Sequence, residues 1–449
     1  MRQASRALLP AAFFALFVNA CSTRPEASPG RPPPAQGVVV VSICSLRADH
    51  LGCYGYGAPT SPRTDALARE AVVFREAITH APSTFLAHAS LFTSLIPPRH
   101  GASFAAGKAM PPQPVTLAEV LKERGFATAS FNGGGQLDRV WGLDQGFDVY
   151  ETPSPAGASP LEVERLEAQV DAAIAWLDRQ RDPRFFLFIH TYEVHHGYTP
   201  RAADLALFDG GYRGPLPPAI SVELLARVNA GRIRLSPRDL EHVVAAYDGE
   251  IRSADRALGR LLDHLRSARL YDRSLIIVTS DHGEEFGEHG GVGRHSHALY
   301  DELLRVPLIV KFGGSWRAGG SLDAQVRLID VAPTILGALA LPVPPAFEGS
   351  DLLPYVAGGP APPPYALVAL DGGVMALRTP QWKWQQGRLF NLRTDPGEST
   401  DVARRFPQVE RALRQVKREL VNGAHAGALP KAEVSRELRQ RLQALGYVE

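Results

Sequence analysis

Cysteine is scarce in this chain: three residues in 449, at Cys21, Cys44 and Cys53. That number excludes a disulfide framework, so the fold must rest on a hydrophobic core. An excess of charge of one sign is also lacking. Lys and Arg total 48 against 47 Asp and Glu, a formal net charge of +1. No basic field for nucleic acid and no acidic tail follow from such a balance, and no nucleic-acid partner is expected. The apolar run ALLPAAFFALFV near the start is too short for a comfortable membrane span. Hydrophobic residues make up 45% and charged residues 21%, the balance of a soluble globular protein with a sizeable core. The length allows one large domain or two smaller ones. With 41 Gly and 37 Pro, many loops are expected on a rigid scaffold.

The first residues read as a targeting segment. MRQASR is a basic region, the short apolar run follows, and Val18-Asn19-Ala20-Cys21 resembles a bacterial lipobox. On this reading residues 1–20 are a lipoprotein signal peptide and Cys21 carries lipid. The protein is then anchored to a membrane of a bacterial cell envelope, periplasmic or surface-exposed. An ordinary secretory signal cleaved elsewhere is the alternative. Residues 21–37, rich in Pro, Ser and Gly, cannot bury a core and read as an extended tether. Whether Cys44 and Cys53 pair stays open.

Residues 37–45, GVVVVSICS, form a β-branched run without alternation, as in a strand buried on both faces of a parallel sheet. Similar runs occupy 185–191, 274–281 and 306–312. Helical patterns at 61–70, 116–124, 161–179 and 240–265 separate them. Strand and helix alternating in this way predict an α/β fold with a large, mostly parallel sheet. Ligands of such sheets bind at the carboxyl ends of strands. Cys44-Ser45, His190-Thr191 and Asp281-His282 sit at those ends. Beyond the Pro-rich stretch at 342–364, short strand-like runs near 365–370, 374–379 and 382–386 precede a charged helix at about 408–422. They read as a small C-terminal α+β subdomain.

The segment 281–290, DHGEEFGEHG, carries the clearest chemistry. An Asp-His pair at a strand end, followed by glycine, turns two ligands toward one point. Oxygen and imidazole nitrogen suit Zn or Mn, and the carboxylate also suits Ca. Taken alone, the tripeptide is equally compatible with a hydrogen-bonded turn.

The wider context resembles the sulfatase family of the alkaline-phosphatase superfamily. The matching segments are 45–68, 81–101, 142–151, 189–200, 247–262, 281–307, 328–339, 389–398 and 442–449, in order over nearly the whole chain. The resemblance implies a three-layer sandwich, with a catalytic domain at 38–345 and a C-terminal subdomain at 346–449. It also implies a nucleophile and one divalent metal ion. The typical nucleophile is a formylglycine made from Cys or Ser in a C/S-x-P-x-R motif. Here that stretch is Thr84-Phe85-Leu86-Ala87-His88, so no formylglycine is expected. A threonine attacks instead as an alkoxide activated by metal. Thr84 also reads as the N-cap of a helix at 87–93.

The resemblance gives His195 the role of acid. It places His88 where the motif has arginine, and His295 and His297 on the substrate side. Asp281, His282 and Thr84 are the implied metal ligands. Cys44 stands where the family has a metal-binding aspartate; its thiolate suits Zn and not Ca. The ion is therefore Ca or Zn. Asn132-Gly133-Gly134-Gly135-Gln136 occupies a position where many members have a lysine. The implied function is hydrolysis of sulfate or phosphate-type esters on a glycan, lipid or small molecule. A phosphotransferase or phosphodiesterase is the alternative within the superfamily. A catalytically impaired glycan-binding protein is the alternative outside it, favoured by Cys44 and Thr84.

Overall fold

The computed structural model describes residues 30–153, 165–182, 184–314 and 316–422. The Cys21 segment, most of the tether and the motif at 442–449 lie outside the described residues.

Ten strands precede the Pro-rich stretch. They are β1 (Gly37–Ile43), β2 (Val72–Ile78), β3 (Ala127–Phe131), β4 (Val149–Glu151), β5 (Phe185–Thr191), β6 (Ser274–Thr279), β7 (Glu285–Phe286), β8 (Val292–Arg294), β9 (Arg305–Lys311) and β10 (Gly320–Arg327). Eight of them form one sheet in the order β10-β2-β9-β6-β1-β5-β3-β4. The uninterrupted apolar runs have the physical reason expected of them. In β1, Val38 and Val40 enter one core while Val39 and Val41 enter another on the opposite face. In β6, Leu275 and Ile277 alternate with Ile276 and Val278 in the same way.

β1 runs parallel to both β5 and β6, and β3–β5, β3–β4 and β10–β2 are also parallel. Residues 306–312, expected as one more parallel strand, are the exception. β9 is antiparallel to β6 and β2. Between β6 and β9 the described residues hold only a short hairpin and one helical turn, with no crossover helix, so the chain re-enters beside β6 in the reverse direction.

Among the helices of the described residues, α1 (Pro62–Ala68), α2 (Thr84–Thr93), α3 (Leu117–Glu123), α4 (Leu166–Leu177), α5 (Pro237–Ser267) and α6 (Val331–Ala338) flank the large sheet, and α7 (Pro407–Asn422) packs on the small one described below. The long α5 starts at a capping box between Ser236 and Asp239, with Pro237 in its first turn. It buries Tyr247, Ile251, Leu258 and Leu265 in the core that receives Val39 and Val41. α2 and α6 bury Phe85, Phe92, Ile335 and Leu336 in the other core. Helices thus cover both faces, in three layers. A four-stranded antiparallel sheet follows: β11 (Ala366–Ala369), β12 (Met375–Arg378), β13 (Trp382–Gln385) and β14 (Arg388–Asn391). Cys44 and Cys53 are free thiols, and no helix among the described residues is long and apolar enough to cross a membrane.

A buried ionic network ties the small sheet to the large one. Lys383, 0% exposed, reaches Asp301 Oδ1 and Glu398 Oε1, both at 2.6 Å, and donates to the Leu299 carbonyl at 2.9 Å. Arg378 on the neighbouring strand grips Asp301 through two nitrogens and also reaches Glu76 of β2. Burial, and then the charge of Asp301, push the Glu398 carboxyl up, against the pull of Lys383. Lys383→Met should therefore lower stability by about 3–5 kcal/mol at neutral pH, because Glu398 stays buried without its cation while Asp301 keeps only Arg378. A carboxyl raised in the fold sheds its destabilising charge below that raised value. The loss, read by denaturant melts, should accordingly be smaller at pH 5 than at pH 8.

Candidate active site

The carboxyl ends of β6, β1 and β5 lie side by side, with Ser42 of β1 in register with both Thr279 and His190. The residues that follow these ends meet at one point. Cys44 Sγ lies 3.5 Å from Thr84 Oγ1 and 3.8 Å from His282 Nε2, and Thr84 Oγ1 is 3.5 Å from that same nitrogen. Cys44, Asp281 and His282 bring one ligand atom each within 4.8 Å of one another, and all are buried.

Local backbone geometry fixes this convergence. Ser45 has a left-handed backbone, φ 59°, which turns its N–H onto Asp281 Oδ1 at 3.2 Å. The His282 N–H reaches the same oxygen at 2.9 Å. Oδ1 is thus fully engaged. Oδ2 is buried without a hydrogen-bond partner, at 3.6 Å from His282 Nε2 and 3.9 Å from His190 Nε2. Gly283 is required because a Cβ there would stand 1.9 Å from the Glu302 carbonyl oxygen. His282 Nδ1 donates to the Gly283 carbonyl at 2.9 Å, which leaves the Nε2 lone pair facing Cys44 and Thr84.

Burial opposes ionisation of Asp281, yet the His282, His190 and His88 imidazoles outweigh it and hold the carboxyl well below its ordinary range. Burial, reinforced by the Asp281 charge, pushes the Cys44 thiol well up. A buried carboxylate oxygen without a donor, a thiol and a free imidazole lone pair fit a divalent ion with mixed O, S and N preference.

Thr84 is the first residue of α2, and Ser83, not Thr84, holds the N-cap position. The helix starts three residues earlier than its apolar pattern suggests. Thr84 therefore combines a helix N-terminus with contact to Cys44 and His282. The next N–H, that of Phe85, donates to Gln136 Oε1 at 2.8 Å, which anchors the Gly-rich loop beneath the cleft.

The candidate histidines separate. His88 is buried under the site, its Nδ1 on the Thr84 carbonyl at 2.7 Å and its Nε2 on Ser42 Oγ at 3.0 Å. Both nitrogens are engaged, so it positions α2 and has no face toward a substrate. His297 is not brought to the cluster. Its Nε2 sits 3.0 Å from Glu285 Oε2 and its Nδ1 reaches the His295 carbonyl. Near the metal-ligand candidates is His295 instead, stacked on His282 at a centroid distance of 4.4 Å. His195 is buried at 4.7 Å from the His295 ring. Burial, and then the neighbouring His196 and His295, pull its imidazolium form well below the ordinary range, so it is neutral at neutral pH.

A cleft of about 370 Å3 is lined in part by Ser83, the residue before Thr84, and by Gln136, His196, His295 and Ser296. Sequence reasoning missed His196 and Glu284. Glu284, in an acid-rich loop, is fully buried.

A profile of the sulfatase family matches residues 36–341. With this fold and site, the chain belongs to the sulfatase family. Mouse arylsulfatase K is 29% identical over 210 residues, 42% of this chain and 37% of that protein. The chain therefore matches well under half the length of that relative. An ulvan-active sulfatase of Formosa agariphila is 25% identical over 358 residues, 71% of this chain and 65% of that protein. Among solved structures, a phosphonate monoester hydrolase of Agrobacterium radiobacter superposes with a TM-score of 0.70 at 20% identity, covering 90% of this chain and 99% of that one. A structure in complex with its substrate D-glucosamine-2-N,6-O-disulfate gives a TM-score of 0.68 at 17% identity, covering 88% and 98%. At these identities the two structures show the fold.

Proposed function

We propose that the chain is a metal-dependent hydrolase of sulfate or phosphate-type esters, with Thr84 as nucleophile. The observation that carries this reading is Asp281 Oδ2, a buried carboxylate oxygen without a hydrogen bond 3.6 Å from His282 Nε2, in a residue that groups with Cys44 and His282. Cys44, Asp281, His282 and Thr84 are the residues that would hold the ion, and the mixed set favours Zn over Ca. An ion held there would supply Lewis-acid chemistry, lowering the pKa of the Thr84 hydroxyl and offsetting charge on the ester.

The chain's own groups do the rest. Thr84 Oγ1, its proton released to bulk water as the ion binds, would form a bond to the sulfur or phosphorus, while the bond from that atom to the ester oxygen breaks and its electron pair leaves with that oxygen. The N-terminus of α2 faces the anion. His195, kept neutral, presents an N–H to the leaving oxygen rather than an imidazolium proton. Water then cleaves the threonine ester and regenerates the hydroxyl.

The similar proteins include, by their names, an ulvan-active sulfatase, a phosphonate monoester hydrolase and a protein whose substrate is D-glucosamine-2-N,6-O-disulfate, and we take the substrate as an anionic ester on a glycan, lipid or small molecule. A panel of aryl sulfates, phosphodiesters and phosphonate monoesters tests this with the wild-type chain. Turnover of one class, lost in Thr84→Ala, supports it. No turnover by metal-loaded protein of any class favours the glycan-binding alternative.

The mixed ligand set gives a further expected outcome. Cys44→Asp should shift metal preference from Zn toward Ca, because it replaces a soft donor by a hard one. Competition titrations with both ions check it. The lipid anchor at Cys21 is part of the same proposal. Cys21→Ser should move the protein from the membrane to the soluble fraction of the producing bacterium, read by fractionation; wild-type protein already soluble would contradict the anchor.

A further inference from the structure

A second histidine cluster adjoins the first. His195, His196 and His295 each bring a ring nitrogen within 4.8 Å of the others. Their rings lie 4.0 Å (His195–His196), 4.7 Å (His195–His295) and 5.0 Å (His196–His295) apart. Three imidazoles crowded in this way can aim their ring nitrogens at one ion.

Glu284 holds the cluster from behind. Its carboxylate is 0% exposed and accepts from His295 Nδ1 at 2.9 Å. The His196 charge and the Tyr198 hydroxyl, both on the loop that follows β5, also act on the Glu284 carboxyl. One buried acid thus joins the loop that follows β5 to the loop that carries His295. A carboxylate on Nδ1 fixes the tautomer of His295 with its Nε2 lone pair on the opposite side. This carboxylate–imidazole relation is the usual backing of a metal-bound histidine. His196 and His295 line the 370 Å3 cleft, so the open side of the cluster faces the space a substrate would fill.

We propose that His195, His196 and His295 form a second divalent-metal site, distinct from the Cys44–Asp281–His282 cluster and selective for zinc-like ions. Three neutral imidazoles with an open position suit Zn and offer nothing to Ca, which takes oxygen ligands. Zinc–nitrogen bonds of about 2.0–2.1 Å put tetrahedral ligands ~3.3 Å apart. The three nitrogens need close by only a modest shift, and His196 and His295 sit in loops. The fourth position faces the cleft and takes water or an oxygen of an anionic ester. This site does not depend on the hydrolase reading.

The test is a Co(II) titration of the metal-free full chain, with absorption spectra and stoichiometry by elemental analysis. Two equivalents are expected. One gives a thiolate-to-cobalt charge-transfer band in the near ultraviolet, and the other gives only visible d–d bands of nitrogen ligation. Cys44→Ser should erase the first and keep the second. His196→Ala, on a half-exposed residue, and His295→Gln should each erase the second and keep the charge-transfer band. Glu284→Gln should weaken the second site about 10- to 100-fold. Uptake of only the thiolate-bound ion by wild-type chain would overturn the proposal, as would an unchanged visible spectrum in His196→Ala. Uptake of only the nitrogen-ligated ion would uphold it and count instead against Cys44 as a ligand.

Discussion

Thr84→Ala should lower turnover of any ester substrate by about 10^4-fold or more, with little change in thermal stability. Each factor of ten is about 1.4 kcal/mol of transition-state stabilisation, so the expected loss exceeds ~5 kcal/mol. The size follows from how many groups converge on one oxygen. Thr84 Oγ1 sits 3.5 Å from both Cys44 Sγ and His282 Nε2, at the N-terminus of α2. Alanine deletes the nucleophile, and nucleophile and activating groups act as a unit. The fold should tolerate the change, since Ser83 is the N-cap residue and alanine suits a helix interior. Thr84→Ser keeps the hydroxyl and should restore most of the loss. Steady-state rates for the three proteins on one substrate are the measurement. An alanine variant as fast as wild type would remove Thr84 from the chemistry.

Asp281→Asn should abolish metal binding at the first cluster, weakening it by more than about 100-fold, since outer partners of a ligand alone are worth 10- to 100-fold. Asp281 supplies the carboxylate of the set, with Oδ1 fixed by two backbone N–H groups and Oδ2 left for an ion. Asparagine keeps the shape and removes the charge. Metal uptake in the wild type should also release a proton and strengthen as pH rises, because the Cys44 thiol is held well above its ordinary value by burial and by Asp281. Below that raised value the thiol is protonated, so binding must displace the proton. Zinc titrations in buffers of different ionisation enthalpy read both effects. No proton release in the wild type would take Cys44 out of the ligand set.

The parts of this arrangement that were legible in the sequence are those written locally. The unbroken run Val38 to Val41 needs two apolar faces, and the sheet supplies them. Asp281 and His282 are neighbours at a strand end, so their convergence is visible in one line of residues. β2 was not visible, because Arg75 and Glu76 interrupt its apolar run. β9 was visible as a strand but not in direction, which the missing crossover helix decides. Between His295 and His297 the sequence offers no choice. Residues two apart on a bent loop, with Ser296 at φ 63°, need not share a face. The role of Glu284 was hidden because it comes from two loops, near 195 and near 295, that meet only in the fold.

The claim on which the account stands is that Thr84 is the nucleophile. Rapid quenching of metal-loaded protein with excess of an active ester, followed by peptide mapping, tests it directly. The account predicts a substrate-derived sulfate, phosphate or phosphonate ester on Thr84, absent after chelation and absent in Thr84→Ala. A burst of product with Thr84 unmodified, or an adduct on any other residue, would contradict it.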